Sequence, residues 1–178
     1  MRYSRKYEHF SILIFFVFVF ILGCKQKSDY LSTGSDMQVE LGVGFGTVKF
    51  GMIEDEVIKL LGKPERIEKN GKNKTMLLYL SQGIGIYVFK EGGVQSFTFT
   101  TQKISTSALK INDFKGTTKE GIGIGSSEAQ IIAAYGKPTE NSFQSDKKTI
   151  CYKTLGIDFI MLSDKVAQFT ITIPVRKE

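Results

Sequence analysis

The sequence predicts an α+β fold built from two tandem repeats, each a short helix packed on an antiparallel meander of about four strands, an arrangement that lets the two meanders share one curved sheet. Three observations carry this prediction. "FGMIEDEVIKLLGKPE" (50–65) returns as "IGSSEAQIIAAYGKPT" (124–139), so that Gly51, Val57 and Gly62-Lys63-Pro64 answer to Gly125, Ile131 and Gly136-Lys137-Pro138 at one offset of 74 residues. Each copy is followed by three or four apolar runs separated by turn residues. The offset then drifts from 74 to 72 only across loops, where a lost residue costs least.

In the first unit, "VGFGTVKF" is extended and leads past Gly51 into a helix. Glu54, Asp55 and Glu56 fall in its first turn, where negative charge suits the helix dipole. Val57, Ile58 and Leu61 form its apolar stripe, Gly62 permits a left-handed stop, and Pro64 forbids continuation. In the second unit Ser127 and Gln130 match a capping box, and Ile131, Ile132 and Tyr135 make the stripe. Helices of two to three turns do not persist alone in water, so each must lie on a sheet.

The strands follow in order. "ERIEKNGKNKTMLLYL" carries Asn70-Gly71, a strong hairpin signal, and is followed by "GIGIYVF", a turn at "KEGG" and "VQSFTFTT". The second copy reads "ENSFQSDKKTICYK", "GIDFIML", a turn at "SD" and "VAQFTITI". Tyr79 then matches Tyr152, Gly83 matches Gly156 and Phe97 matches Phe169. The third strand of each unit is apolar on both faces, with Ile84, Ile86 and Val88 against Tyr87 and Phe89, and Ile157, Phe159 and Met161 against Ile160 and Leu162. One helix covers one side of a sheet. The second side must meet the other repeat, another part of the chain or an outside partner.

Ahead of the repeats, Arg2, Arg5 and Lys6 precede the apolar run Ile12–Leu22, which has the length of a signal-peptide core and is short for a membrane span. The run ends in "ILGC", which resembles a bacterial lipobox. The resemblance implies cleavage after residue 23 and acylation of Cys24, so that residues 1–23 are a lipoprotein signal peptide and the membrane is a partner through the lipid. Lys25 stands where lipoproteins retained in the inner membrane carry aspartate, which favours the outer membrane. Residues 24–41 are polar without a sustained period and read as a flexible tether, leaving residues 42–108 for repeat 1 and 109–178 for repeat 2.

Composition excludes several chemistries. The formal charge of +6 falls by two when the signal peptide leaves, a modest excess that lacks the dense basic footprint of a nucleic-acid binder. The single histidine, His9, leaves with it, so no Ser-His-Asp or Cys-His set and no Cys/His zinc site can be assembled. No cofactor and no enzymatic activity are expected; a hydrolase would have to work without imidazole, the commonest proton-transfer group near neutral pH. Gly116 to Gly121 has phosphate-loop spacing, but Ile122 stands where lysine is needed. "SALK" (107–110) matches S-x-x-K of penicillin-recognising enzymes without its companion motifs. Cys151 aligns with Leu78 and reads as a small core hydrophobe.

The binding candidates are Tyr87 and Phe89 as aromatic anchors, together with Lys69, Lys72 and Lys74 around one hairpin turn and Lys147 and Lys148 in the other. If the units join side by side, both basic loops are expected along one rim.

The pattern G-M-x-x-x-x-V-x-x-x-L-G-K-P (51–64), a tyrosine-bearing strand and a Gly-started apolar strand resemble the SmpA/OmlA (BamE-like) family of small outer-membrane lipoproteins, accessory to β-barrel assembly. The duplicated form is similar to β-lactamase inhibitor proteins, whose paired units grip a target enzyme with one sheet. The chain departs from these patterns at Ile53, where a capping Ser/Thr is usual, and in lacking the inhibitor's disulfides. The resemblance implies a non-catalytic protein-binding module, either an assembly or scaffold factor of the envelope, or a surface adhesin or enzyme inhibitor.

Overall fold

Along 74–79, 84–89, 93–100, 147–152, 157–162 and 165–172 most of the alternate side chains are apolar and buried, which drives these segments into strands with one side toward the core. The computed structural model describes residues 37–104 and 109–175. Cys24, the signal peptide, most of the tether and Ser107 of "SALK" lie outside them. The fold is mixed α+β, with two helices, a four-stranded sheet and an eight-stranded sheet.

The elements are β1 (Gln38–Glu40), β2 (Gly44–Phe45), β3 (Val48–Lys49), α1 (Glu54–Leu61), β4 (Arg66–Asn70), β5 (Lys74–Tyr79), β6 (Ile84–Phe89), β7 (Gly93–Thr100), β8 (Thr117–Thr118), α2 (Glu128–Tyr135), β9 (Glu140–Gln144), β10 (Lys147–Tyr152), β11 (Ile157–Leu162) and β12 (Lys165–Thr172). The large sheet runs β4-β5-β6-β7-β12-β11-β10-β9, every pair antiparallel. At its centre β7 meets β12 with Phe99 opposite Phe169 and Thr98 opposite Thr170. The ladder shifts register at Tyr87/Val88 and again at Ile160/Met161.

The small sheet, β3-β2-β1-β8, departs from the expected architecture. Residues 38–40 belong to the segment read as tether, yet they form β1, which pairs antiparallel with β2 and parallel with β8. The physical reason is Val39, fully buried in the shared core; one apolar residue among polar neighbours has no periodicity to announce it. This sheet lies over the β7–β12 junction. Phe45 meets Phe99 edge-on with ring centres 5.3 Å apart, Phe114 lies tilted against it at 4.4 Å, and Phe169 stacks on it at 4.7 Å.

Both helices dock on this same side. Val57 and Leu61 of α1 and Ile131 of α2 are buried. Ser127 Oγ accepts from Gln130 N and Gln130 Oε1 accepts from Ser127 N, the capping box read from the sequence. At α1 only half of that box exists: Ile53 N donates to Glu56 Oε2 at 3.0 Å. The paired tyrosines close the helices' other ends, with Tyr79 Oη donating to the Gly62 carbonyl at 3.0 Å and Tyr152 Oη to the Gly136 carbonyl at 2.8 Å. Burial raises the Tyr79 pKa to about 12, with Glu65 adding to it, so the hydroxyl remains a donor through the physiological range.

Glu65 accepts from the Leu80 and Ser81 amides at 3.0 and 3.1 Å, tying the exit of α1 to the turn after β5. Burial opposes its ionisation, but the hydrogen bonds from Ser81 and Leu80 outweigh burial and hold the pKa below the usual carboxylate range. A depressed folded-state pKa contributes stability above the unfolded value, about 4.3, that is lost as pH falls through the folded one. Glu65→Gln is therefore expected to flatten the loss of stability below about pH 4.5, measured by urea unfolding at pH 7 and pH 3.5. An unchanged acid dependence would contradict this assignment.

Candidate interaction surface

The alternation that buries one side of the large sheet places every second residue on the other. Helices and small sheet occupy the first side. On the second, described residues rise over the sheet only near the ends of β5–β7, where Ile104 and Ile111 stand beside Met76, Leu78, Gly85, Thr98 and Thr100 around a hollow of about 260 Å³. Over the rest of this face no described strand or helix is stacked.

Register determines what the open face carries. Its central strip is Ser96, Thr98 and Thr100 beside Thr172, Thr170 and Gln168, with the Thr98 and Thr170 hydroxyls 3.2 Å apart. On the β4–β6 flank lie Met76, Leu78, Tyr87 and Phe89, all half-buried. On the other flank the matching places hold Thr149, Cys151, Ile160 and Leu162. The face is thus asymmetric: apolar and aromatic on one flank, mixed on the other.

Gly85 forms the floor of the hollow. A Cβ there would approach Met76 Cε to 2.8 Å, so the absence of a side chain gives the depression its depth. The corresponding place on the other flank is Asp158, opposite Cys151. Cys151 itself is half-buried on the open face rather than in the core, because register sets it one residue out of phase with Ile150 and Tyr152. Burial, followed by a hydrogen bond to the Asp158 carboxylate, pushes its thiol up to about 11, which keeps it protonated and poorly nucleophilic.

The predicted residues are separated by the same parity. Tyr87 and Phe89 lie on the open face, and Lys74 joins them there, its Nζ 4.0 Å from the Tyr87 ring centre and 5.6 Å from that of Phe89. Lys69 points to the helix side; with Lys72, Lys74, Phe89, Lys90, Glu54 and Asp55 it lines a cleft of about 460 Å³ between the hairpin and the start of α1. Carboxylates among those lysines make the cleft mixed in charge. Lys147 sits on the open face, whereas Lys148 faces α2 and forms a half-buried ion pair with Glu128 at 2.6 Å.

The expected basic rim does not form. The two hairpins occupy opposite edges of the sheet, and because β7 and β12 run antiparallel their tips point to opposite ends. Lys69, Lys72 and Lys74 are therefore diagonal to Lys147 and Lys148. Sequence reasoning missed Met76, Leu78 and Gly85. The signal was available in "MLLY", four consecutive apolar residues that fill both faces of β5.

Among the described residues no three His, Cys, Asp or Glu side chains cluster closely enough to hold a metal ion, and no helix is long and apolar enough to cross a membrane.

No protein-family model matches the chain, and no curated protein matches it by sequence. Solved structures with a similar arrangement include a DUF4309 family protein (YjgB) from Bacillus subtilis, with 12% identity, a TM-score of 0.46, and coverage of 72% of this chain and 83% of that one. An extracellular protein containing a SCP domain from Bacillus anthracis aligns at 9% identity and a TM-score of 0.43 over 69% of this chain and 43% of its own. A cysteine-rich secretory protein (SAV1118) from Staphylococcus aureus aligns at 18% identity and a TM-score of 0.40 over 75% and 49%.

Proposed function

We propose that this chain is a non-catalytic, lipid-anchored module of the bacterial envelope that holds a protein partner on the open face of its large sheet. The observation that carries the reading is one-sidedness. Helices and small sheet are stacked on one face, while the other leaves Met76, Leu78, Tyr87 and Phe89 half-buried with no described element across most of it. Its extent favours a protein over a small ligand. Eight strands of six or so residues span roughly 35 by 20 Å, close to the area that one side of a standard protein–protein interface buries. Tyr and Met, which this face carries on its β4–β6 flank, are residue types enriched at binding surfaces.

The body is built, on this reading, from a duplicated helix-and-meander unit. Thr98 and Thr170, equivalent at the sequence offset of 72, face one another across the β7–β12 junction. The register shifts at Tyr87/Val88 and Ile160/Met161 also fall at equivalent positions. Joining two units edge to edge removes one exposed strand edge from each and doubles the face on offer. Cys24 supplies the anchor, to the outer membrane, in keeping with the lipobox and Lys25. An assembly or scaffold role in the manner of the SmpA/OmlA lipoproteins fits this design.

Photocrosslinkers placed in intact cells at Tyr87 or Ile160, on the open face, are expected to trap a discrete protein that a probe at Lys59, on the outer side of α1, does not. Tyr87→Asp should lower the yield from Ile160 by about tenfold, as loss of one hot spot would. Adducts from Lys59 alone, or lipid alone at every site, would defeat the proposal. Labelled palmitate should enter the wild type and not Cys24→Ser.

A further inference from the structure

The large sheet ends in two edge strands of different character. β4 (Arg66–Asn70) carries three charges in five residues, with Arg66 and Glu68 paired to each other at 2.8 Å along the strand. β9 (Glu140–Gln144, "ENSFQ") carries one, Glu140, already neutralised by an ion pair to Lys153. All five β9 residues are exposed, and Phe143, at 74% exposure, is the most exposed large apolar side chain among the described residues. Edge strands are ordinarily blunted by charge, proline or cover, because their outward N–H and C=O groups template further pairing. β4 is blunted in this way. β9 is not.

The neighbouring helix repeats the contrast. The outer face of α1 carries Asp55, Glu56 and Lys59, whereas α2 exposes Ala129, Ile132 and Ala133. Lys148 links this apolar skin to the edge strand: its ammonium bonds both oxygens of Glu128 on α2 and lies 5.3 Å from the Phe143 ring centre. Strand edge and helix side thus form one flank with almost no uncompensated charge.

We infer that β9 pairs antiparallel with β9 of a second copy of this chain, making a two-fold dimer in which two eight-stranded sheets become one continuous sheet. The choice of occupant rests on self-complementarity. About a two-fold axis at Ser142, Ser142 faces its copy, Asn141 faces Phe143, and Glu140 faces Gln144, so no like charges meet. The same operation on β4, centred at Glu68, sets one carboxylate against its copy, a destabilising cross-strand pair. A closed two-fold contact of this kind uses one patch on both copies and ends there. The contact lies at the sheet edge and leaves both open faces free, so it stands whether or not a partner binds those faces.

The test is disulfide trapping of the full chain in the membranes of the cells that make it. Ser142→Cys, in a Cys151→Ser background, puts a thiol on the axis, where directly opposed residues have Cα atoms about 4.5–5.5 Å apart, within disulfide reach. Oxidation is expected to give an adduct of twice the chain mass from Ser142→Cys and none from Glu68→Cys or from the background alone. Adding Phe143→Lys to Ser142→Cys should return the dimer to background, since a charge on an edge strand blunts pairing. The inference is overturned if Ser142→Cys stays monomeric, joins a protein of a different mass, dimerises no better than Glu68→Cys, or dimerises undiminished with Phe143→Lys.

Discussion

Phe99→Ala is expected to cost about 3–5 kcal/mol of folding stability, the range for truncating a fully buried aromatic residue. Phe99 is fully buried, and its ring lies within 6.3 Å of four others: Phe45 of the small sheet, Phe97 of its own strand, Phe114 of the connecting segment and Phe169 of β12. One side chain therefore joins both sheets and both halves of the large sheet. Against a total stability of about 5–15 kcal/mol, its loss brings the chain close to unfolding. Urea denaturation followed by circular dichroism reads the effect, with the half-exposed Ile132→Ala as a control expected to cost under about 1 kcal/mol. A cost below about 1 kcal/mol at Phe99 would mean that the two sheets do not share this core.

Gly83→Ala is expected to be nearly as damaging, for a different reason. Gly83 has φ +70°, and a Cβ there would lie 2.5 Å from the Asn112 carbonyl oxygen, 2.6 Å from the Phe114 nitrogen and 2.8 Å from the Thr100 carbonyl oxygen. All three are backbone atoms, and none can rotate away. The segment they belong to is stitched to this turn by Thr100 N to Gly83 O, Phe114 N to Thr100 O and Asn112 N to Leu80 O. Alanine must therefore displace the 112–114 backbone, adding to the roughly 1–2 kcal/mol of left-handed strain. Gly71→Ala separates the two contributions, since Gly71 has φ +74° but no atom within 4 Å of the added Cβ. It should cost only the strain, about 1–2 kcal/mol, while Gly83→Ala costs more and opens residues 109–116 to protease under native conditions. Equal costs at the two glycines would remove the packing argument.

The two glycines also show how much of the fold was legible in advance. Local conformation is written in local chemistry, so capped helices, stopping glycines, the Asn70-Gly71 turn and the order of the strands could all be read from residues within a few places of one another. Crowding around Gly83 depends on residues some 30 positions away, and nothing near it in the chain records them. The candidate site divides in the same way. Tyr87 and Phe89 were visible because β6 is apolar on both sides; Met76 and Leu78 were visible in principle in "MLLY". The lysines were grouped by loop, and register undid the grouping: Lys147 and Lys148 are adjacent in sequence, yet one lies on the open face and the other binds Glu128 beneath α2.

By itself, then, the sequence determined the two helices, the strands that follow each of them and their order, and the absence of imidazole from residues 24–178, because composition and short-range periodicity are properties of the chain alone. Only tertiary structure decided that residues 38–40 complete a second sheet over the junction, that both helices and that sheet share one face, and that the basic hairpins stand at diagonal corners. The physical reason is that a strand's alternation names two faces without saying which neighbours or layers will cover them. That choice is made by which buried surfaces fit together, and here Phe45, Phe99, Phe114 and Phe169 make it.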